Sequence, residues 1–239
     1  LTRRSRVFVR ETLLQTTERV LREAGLTEQD FTFEVANRDR YTPREHACQY
    51  HESNLDFLSR HLEHEGLYYY FAHANDGSRE RLVITDSVTF ARPYDSAAVR
   101  FLATDTPGSV TEGVRSLGCE YSAVPTGART YGYNPITPGV PVYGESLDGA
   151  TGGVVSSWEP ARDAAESTRY ARICAEESRA AQSVIEAQGR VFTACAGYLA
   201  TLEDHPLISG EHLVTEANFV GCDYTAHREF VTALGRGLD

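Results

Sequence analysis

The chain has 239 residues, a formal net charge of −11 and 41% hydrophobic residues, enough for one large or two small domains with a buried core. The acidic balance argues against a nucleic-acid-binding protein, which usually carries a basic patch. No apolar run approaches the roughly 20 residues that cross a bilayer. The five cysteines are widely spaced and form no CxxC pair, which argues against a zinc ribbon and favours small buried side chains in a reducing compartment.

The N-terminal region predicts a strand, a helix and a second short strand. The strand covers "RRSRVFVRE", and the helix runs from Thr12 to about Ala24. Thr12 and Gln15 have the spacing of a capping box, and Gly25 follows where a left-handed residue commonly ends a helix. The alternation of "FTFEV" predicts the second strand.

The stretch 45–87 predicts a strand, a capped helix and a β-hairpin. Ser53 and Asp56 form a second capping box, and Gly66 sits where a left-handed residue ends the helix at little steric cost. Leu55, Leu58 and Leu62 fall on one predicted face, with Phe57 and His61 on its flank. The strands "LYYYF" and "RLVITD" are joined by the turn residues "NDGS".

The second half of the chain has less regular patterning. Residues 86–112 are polar and predict a connector, and "VRSLGCEYS" and "GVPVYG" predict strands. A long helix is predicted from Pro160 to Gln188, closed by Gly189, because its apolar residues recur at helical spacing. Two further strands, "RVFTACAGYLATL" and "EHLVTEANFV", are joined by "EDHPLISG".

Candidates for chemistry are incomplete motifs. His51 and Glu52 begin an "HExxH" pattern, but Leu55 stands where the second zinc ligand is required. His61 and His64 lie one helical turn apart near Glu65 and could form a surface metal clip. The alternative is a packed flank at His61 and a solvated helix face at His64. We favour this alternative and expect no metal.

Two more candidates are weaker. His46 and Cys48 lie opposite His51 if the strand alternates regularly, so the three do not converge on one ion. "GESLDG" around Ser146 has Asp148 where a nucleophile elbow requires glycine. We therefore predict no catalytic residue, no cofactor and no metal ligand.

The aromatic run 68–71 alternates between the two faces of its predicted strand. Tyr68 and Tyr70 share one face, and Tyr69 and Phe71 share the other. Such a strand is either buried on both faces or buried once and docked on a partner. We predict that tertiary or intersubunit contacts cover both faces and that the strand is not a free edge, since an exposed aromatic edge favours aggregation.

The stretch "CQYHESNLDFLSRHLEHEGLYYYFAH" resembles the signature of the VgrG spike proteins of type VI secretion and of the phage late-control D proteins. The positions in register with that signature are Gln49, Tyr50, Glu52, Ser53, Asp56, Phe57, Arg60, Glu63, Gly66, Tyr68, Tyr69, Phe71 and His73. "RTYGYNP" is similar to a second family element with Gly132 inserted. Near the end of the resemblance His205, Pro206, Gly210 and Val214 match, whereas His212 replaces an aromatic residue.

The resemblance implies an α+β, β-rich fold of tail-hub-like barrels with inserted helices. Most strands of the first barrel and the C-terminal spike would lie outside this segment. Residues 1–112 would form a first hub segment with two helices and the hairpin. Residues 113–223 would form a second barrel-like segment with a long helix, and residues 224–239 a connector toward the spike.

The implied function is that of a structural hub and spike component of a contractile injection system. Three chains with two similar barrels each would give the pseudo-sixfold symmetry that joins a trimeric spike to an Hcp-like hexameric tube. Further implied partners are baseplate proteins, a spike-tip PAAR-type protein and effectors. The protein would reside in the bacterial cytoplasm before firing and be secreted afterwards, with neither nucleic-acid binding nor stable membrane insertion.

Two alternatives stay open. One is the tail hub of a contractile phage or of an extracellular injection system, and the other is a cytosolic hydrolase that uses Ser146 or the histidine region.

Overall fold

The strands of this chain outnumber its helices and form several small sheets. The computed structural model describes residues 2–74, 79–90, 98–102, 112–147, 152–191 and 194–220. The elements within those ranges are β1 (Arg4–Glu11), α1 (Leu13–Glu23), β2 (Phe31–Glu34), β3 (Arg44–Glu52), α2 (Asn54–His64), β4 (Tyr68–His73), β5 (Glu80–Thr85), β6 (Val99–Arg100), β7 (Gly113–Tyr121), β8 (Gly127–Gly132), β9 (Val142–Ser146), β10 (Val154–Trp158), α3 (Ala164–Ala180), β11 (Ser183–Arg190), β12 (Leu199–Glu203) and β13 (Gly210–Leu213). The architecture is α+β and β-rich, as predicted.

The first core lies between α1, α2, the antiparallel pair β1–β3 and the sheet β2–β5–β4. Both predicted capping boxes are present, at Thr12 with Gln15 and at Ser53 with Asp56. Phe8 of β1 stacks on Phe57 of α2 with ring centroids 5.4 Å apart. Burying such apolar rings supplies most of the free energy that holds helices on strands.

The buried face of α2 differs from the predicted one. Leu58 and Leu62 are buried as expected, but Leu55 is 58% exposed, and Phe57 and His61 fill the core instead. The three leucines alone defined the predicted stripe. The aromatic ring of Phe57, which stacks on Phe8, sets how the helix is rotated on its strands.

The aromatic strand β4 lies at the edge of the sheet β2–β5–β4. Tyr70 is buried against Tyr198, and Tyr69 packs on the first core, so contacts within the chain cover both faces at these positions. Phe71, however, is 49% exposed. The prediction that tertiary or intersubunit contacts cover both faces is therefore confirmed at Tyr69 and Tyr70. At Phe71 and along the sheet edge it stays a prediction, because contacts between subunits would have to cover them.

A second layer is formed by α3 on the mixed sheet β10–β8–β9. Thr130 of β8 and Ser167 of α3 are fully buried, and Thr130 Oγ1 donates a hydrogen bond to the Ser167 carbonyl oxygen at 2.6 Å. Gly144 of β9 lies against the α3 backbone, where a Cβ would overlap main-chain atoms of Ser167 and Thr168. The helix therefore lies close to its sheet. The sequence patterns identified β9 but missed β8 and β10.

The predicted helix over 160–188 is wrong at both ends. Asp163 caps the start of α3 by accepting a hydrogen bond from the Glu166 amide, so Pro160 lies outside the helix. The helix ends at Ala180, and Ser183–Arg190 forms β11, which pairs antiparallel with β7. Val184 and Ile185 are β-branched, and the backbone hydrogen bonds to β7 outweigh the helical spacing of these residues.

The remaining strands are shorter than predicted. β12 and β13 pair antiparallel around the predicted "EDHPLISG" connection, but they cover only Leu199–Glu203 and Gly210–Leu213. Gly197, with a φ of 89°, interrupts the first predicted strand before β12. The predicted connector 86–112 contains β6, which pairs parallel with β12, and the rest of it lies partly outside the described residues. Within the described ranges, no helix is long and apolar enough to cross a membrane.

Candidate functional site

A carboxylate at the end of α2 is the centre of a buried ion-pair cluster. Glu65 is the C-terminal cap of α2, and its side chain is 5% exposed. Arg44 of β3 donates to its Oε1 atom, and Arg169 of α3 lies 2.5 Å from Oε2 through Nη2. Tyr170 of α3 donates its hydroxyl proton to Oε1 at 2.9 Å. The cluster therefore ties the signature helix α2 to the second-layer helix α3.

The electrostatics of the cluster favour the ionised carboxylate. Burial by itself would raise the pKa of Glu65, but the guanidinium groups of Arg169 and Arg44 and the hydrogen bonds from Arg44 and Tyr170 outweigh it and hold that pKa below its ordinary value. Burial, together with the Glu65 charge, raises the pKa of Tyr170, so this phenol stays a hydrogen-bond donor. Arg169 also places its guanidinium 4.6 Å from the Tyr170 ring centroid.

His64 belongs to this cluster, so the prediction of a solvated His64 is wrong. Its ring centroid lies 4.5 Å from that of Tyr170. Arg44 has only donors, so it donates through Nη2 to His64 Nδ1 at 3.5 Å, and His64 Nε2 donates to Glu159 at 3.0 Å. Glu159 directly follows β10, so the His64–Glu159 pair is a second contact between the two layers.

His61 is packed in the first core, as predicted for its flank position. Arg44 Nη1 donates to His61 Nδ1 at 3.2 Å, which places the imidazole proton on Nε2. Burial, with the nearby charges of Arg44 and Arg60, lowers the pKa of His61 to about 4. His61 is therefore neutral at physiological pH.

The two histidines do not form a metal clip in this arrangement. Their Nδ1 atoms both face the guanidinium of Arg44, and a cation there opposes a second cation. Across the part of the chain that the structure describes, no group of three or more His, Cys, Asp or Glu side chains could hold a metal ion. The predicted absence of a metal stays a prediction.

The hydrolase candidates are not assembled either. Ser146 is the last residue of strand β9, and Asp148 lies outside the described residues. His51 is exposed, and the Glu52 carboxylate accepts from Arg60 at 2.6 Å. A shallow depression of about 470 Å³ on the outer face of α1 is lined by Gln15, Glu18, Arg19, Arg22 and Glu23. Arg19 and Arg22 there are paired with glutamates of the same helix.

Contacts around Gly66 extend the joint between the two layers. Gly66 has a φ of 76°, as the predicted helix end requires, and a Cβ at this position would lie 2.9 Å from Ile173 Cγ1. Arg162, just before α3, donates to the Thr42 hydroxyl. We call the set Arg44, His64, Glu65, Gly66, Glu159, Arg169, Tyr170 and Ile173 the α2–α3 joint.

Sequence reasoning treated Glu65 as a neighbour of two histidines and did not identify its partners. Arg44 and Arg169 are 125 positions apart, and local spacing cannot show that they meet. The only available signal was a carboxylate placed directly before the helix-ending glycine. A side chain in that position lies at the C-terminal end of α2, where it can contact the element that packs there.

The fold is a β-rich body with helices packed on its sheets, and the buried α2–α3 joint connects its two layers. The chain belongs to the phage tail baseplate hub (GPD) family, whose model matches residues 1–225. It is thus a structural component of the phage tail hub and VgrG-like type.

Two spike proteins of the type VI secretion system of Pseudomonas aeruginosa, VgrG1b and VgrG1a, are 35% and 36% identical to this chain over 82 residues. The matched residues are 34% of this chain but only 10% and 12% of those two proteins. The chain thus spans a small part of its curated relatives.

Solved structures share the fold. An E. coli protein described as a component of the type VI secretion system, similar in structure to bacteriophage T4 tail proteins, has a TM-score of 0.56 at 20% identity, over 85% of this chain and 42% of that one. A 43 kDa tail protein of prophage MuSo2 from Shewanella oneidensis also has a TM-score of 0.56, at 14% identity, over 87% of this chain and 61% of that one.

Proposed function

We propose that this chain is the hub segment of a type VI secretion spike, a homotrimer that adapts an Hcp-like inner tube to the spike and is expelled with it. The observation that carries the proposal is the family match over residues 1–225. The identity to two type VI spike proteins favours that machine over a phage tail.

The α2–α3 joint supports a mechanical role. A hub that is pushed through a target envelope must keep its layers in register under load. Buried charge pairs with several hydrogen bonds hold one geometry, because breaking one leaves an uncompensated buried charge. Glu65 receives bonds from β3 and from α3. The joint therefore suits a rigid adapter.

We extend the proposal to the segment boundaries and to the chemistry. Residues 1–112 and 113–223 are two successive hub segments, and 224–239 is a connector toward the spike. The chain has no catalytic role of its own, and its partners besides the tube are baseplate proteins, a spike-tip PAAR-type protein and effectors. It resides in the bacterial cytoplasm before firing.

A contractile-phage or extracellular-system tail hub is the second candidate, because the MuSo2 tail protein shares the fold. The two are separated by following the full-length protein in the producing bacterium and in a strain that lacks the contractile sheath. We expect the protein in the medium only when the sheath is intact. Release that accompanies cell lysis, with or without the type VI sheath, would favour the phage hub.

The hub role itself is tested by co-production with the tube protein encoded in the same genome. We expect the full-length chain to co-purify with tube rings. Efficient purification of the chain alone, with no retention on immobilised tube rings at any salt concentration, would contradict the proposal.

A further inference from the structure

The connection between β12 and β13 is closed by the side chain of His205. The backbone amides of Leu207 and Ile208 both donate hydrogen bonds to its Nδ1 atom, at 3.3 Å and 2.9 Å. The Ser209 hydroxyl donates to the His205 carbonyl oxygen at 2.7 Å. The side chain and the main chain of this one residue therefore hold the connection in one shape. We call residues 204–209 the β12–β13 loop.

The backbone of this loop depends on His205 for its support. Asp204 has a φ of 65°, in the left-handed region that few residues other than glycine adopt. Pro206 has no amide proton and cannot donate a backbone hydrogen bond. Phe101, which follows β6, packs edge-to-face on the His205 ring with the centroids 4.6 Å apart. Phe101 thus fixes the ring in place while the Nδ1 atom binds the loop.

The closed loop is compatible with only one protonation state of His205. A ring nitrogen that accepts hydrogen bonds carries no proton, so the proton of the neutral imidazole is on Nε2. A second proton would go on Nδ1, where it removes the acceptor and places an N–H group against two amide N–H groups. Histidine is the side chain that ordinarily changes its charge between about pH 5 and 8. The hydrogen bonds that close the loop therefore depend on pH.

The charges around His205 do not oppose a second proton on its ring. On the described parts of the elements that contact the loop, and in the loop itself, the other charged or titratable side chains are Arg100 of β6, Glu203 of β12, Asp204 of the loop, and Glu211 and His212 of β13. Arg100 Nε lies 3.6 Å from Asp204 Oδ2. These elements thus carry three carboxylates and one guanidinium, whereas the Nδ1 atom of His61 faces Arg44 directly.

We propose that His205 is a pH-sensitive switch of the β12–β13 loop. With a neutral ring, the loop is closed by the two hydrogen bonds to Nδ1. Protonation of Nδ1 in mild acid releases the amides of Leu207 and Ile208, and the loop opens. Leu207 is 88% exposed, so opening moves an apolar side chain on the protein surface. The switch is built into the loop and does not depend on the proposed hub function or on the number of chains in the assembly.

Hydrogen exchange of the full-length protein tests the switch directly. Mass spectrometry of peptides that span residues 203–210 follows the amides of Leu207 and Ile208 at pH 8 and at pH 5. After correction for the intrinsic pH dependence of exchange, we expect both amides to be protected at pH 8. At pH 5 they should exchange about tenfold faster, which is the equilibrium factor for the loss of one net hydrogen bond.

Three variants assign the effect to the His205 ring. His205→Asn places an oxygen at the same position along the side chain as Nδ1, and this oxygen accepts amide hydrogen bonds but does not titrate. The loop of this variant should be equally protected at both pH values. His205→Ala has no acceptor and should exchange fast at both. His212→Asn removes the neighbouring histidine of β13 and should retain the pH dependence of the wild type.

The comparison of the wild type with His205→Asn decides the proposal, because any general loss of stability in acid affects both proteins. Equal protection of the wild-type loop at pH 8 and pH 5 would overturn the switch. So would a loss of protection in His205→Asn as large as that of the wild type. A pH dependence that disappears in His212→Asn but persists in His205→Asn would assign the titration to His212 and overturn the role of His205.

Discussion

At the scale of single residues, Glu65 is the group on which the α2–α3 joint depends. Glu65→Gln keeps the shape of the side chain but removes its charge, so Arg44 and Arg169 lose their shared counter-ion. Removing one partner of a buried pair costs about 3–5 kcal/mol. We expect that loss in the free energy of unfolding, measured by denaturant titration of the full-length protein.

Glu186→Gln is the control for that measurement, because Glu186 is exposed on β11 and surface charges contribute little. It should change the free energy of unfolding by less than about 0.5 kcal/mol. If Glu65→Gln changed the free energy of unfolding as little as this control, the α2–α3 joint would not contribute to stability.

His61 gives the protein a pH dependence of known sign. Its pKa is about 4 in the folded chain, below the ordinary 6.5, so the unfolded chain takes up a proton first as the pH falls. Stability is therefore fully present above pH 6.5 and declines down to about pH 4, by roughly 2–3 kcal/mol. His61→Asn should flatten the stability curve in that window, and an unchanged slope would show that His61 charges freely in the folded state.

At the scale of the element, the end of α2 depends on Gly66. Its positive φ strains any residue with a Cβ by roughly 1–3 kcal/mol, and Ile173 leaves no room for that atom. We expect Gly66→Ala to lower the free energy of unfolding through both the backbone strain and the overlap with Ile173. In an Ile173→Ala background the overlap is gone, so the same change should cost only the strain. Equal costs in the two backgrounds, measured as a double-mutant cycle, would show that the contact is unimportant.

Two substitutions in the hairpin strand β4 distinguish a side chain that packs on the core from one that is half-exposed. Tyr69→Asp places a carboxylate against the first core and should lower the melting temperature, because an unpaired buried charge is costly. Phe71→Asp changes a half-exposed side chain on the same face and should leave the melting temperature of the chain nearly unchanged. The reverse order of the two effects would show that Phe71, and not Tyr69, is the side chain on this face that packs on the core.

The elements that sequence patterns predicted well are those with strong local signals. The capping boxes at Thr12 and Ser53 and the glycine after α2 fix helix ends within a few residues, so no distant contact is needed to place them. The end of α3 was missed because Val184 and Ile185 have helical spacing yet pair with β7, more than 60 positions earlier. Leu55 was misplaced because the Phe8–Phe57 stack sets the rotation of α2.

At the scale of the whole molecule, the helix that carries the family signature, α2, also contributes the central residue of the α2–α3 joint. Signature residues such as Ser53 and Gly66 define α2, and the residue between its last turn and Gly66 is Glu65, which reaches α3. The resemblance could identify the signature from sequence. It could not identify the joint, since Arg169 and Tyr170 come from a helix whose packing follows only from the three-dimensional fold.

The native mass of the full-length protein tests the central claim most directly. The proposed hub adapts a sixfold tube to a threefold spike, and this role requires three chains. Light scattering or native mass spectrometry across a concentration series should therefore give a mass of three chains that persists on dilution. A stable monomer or dimer at every concentration would contradict the proposed trimeric hub.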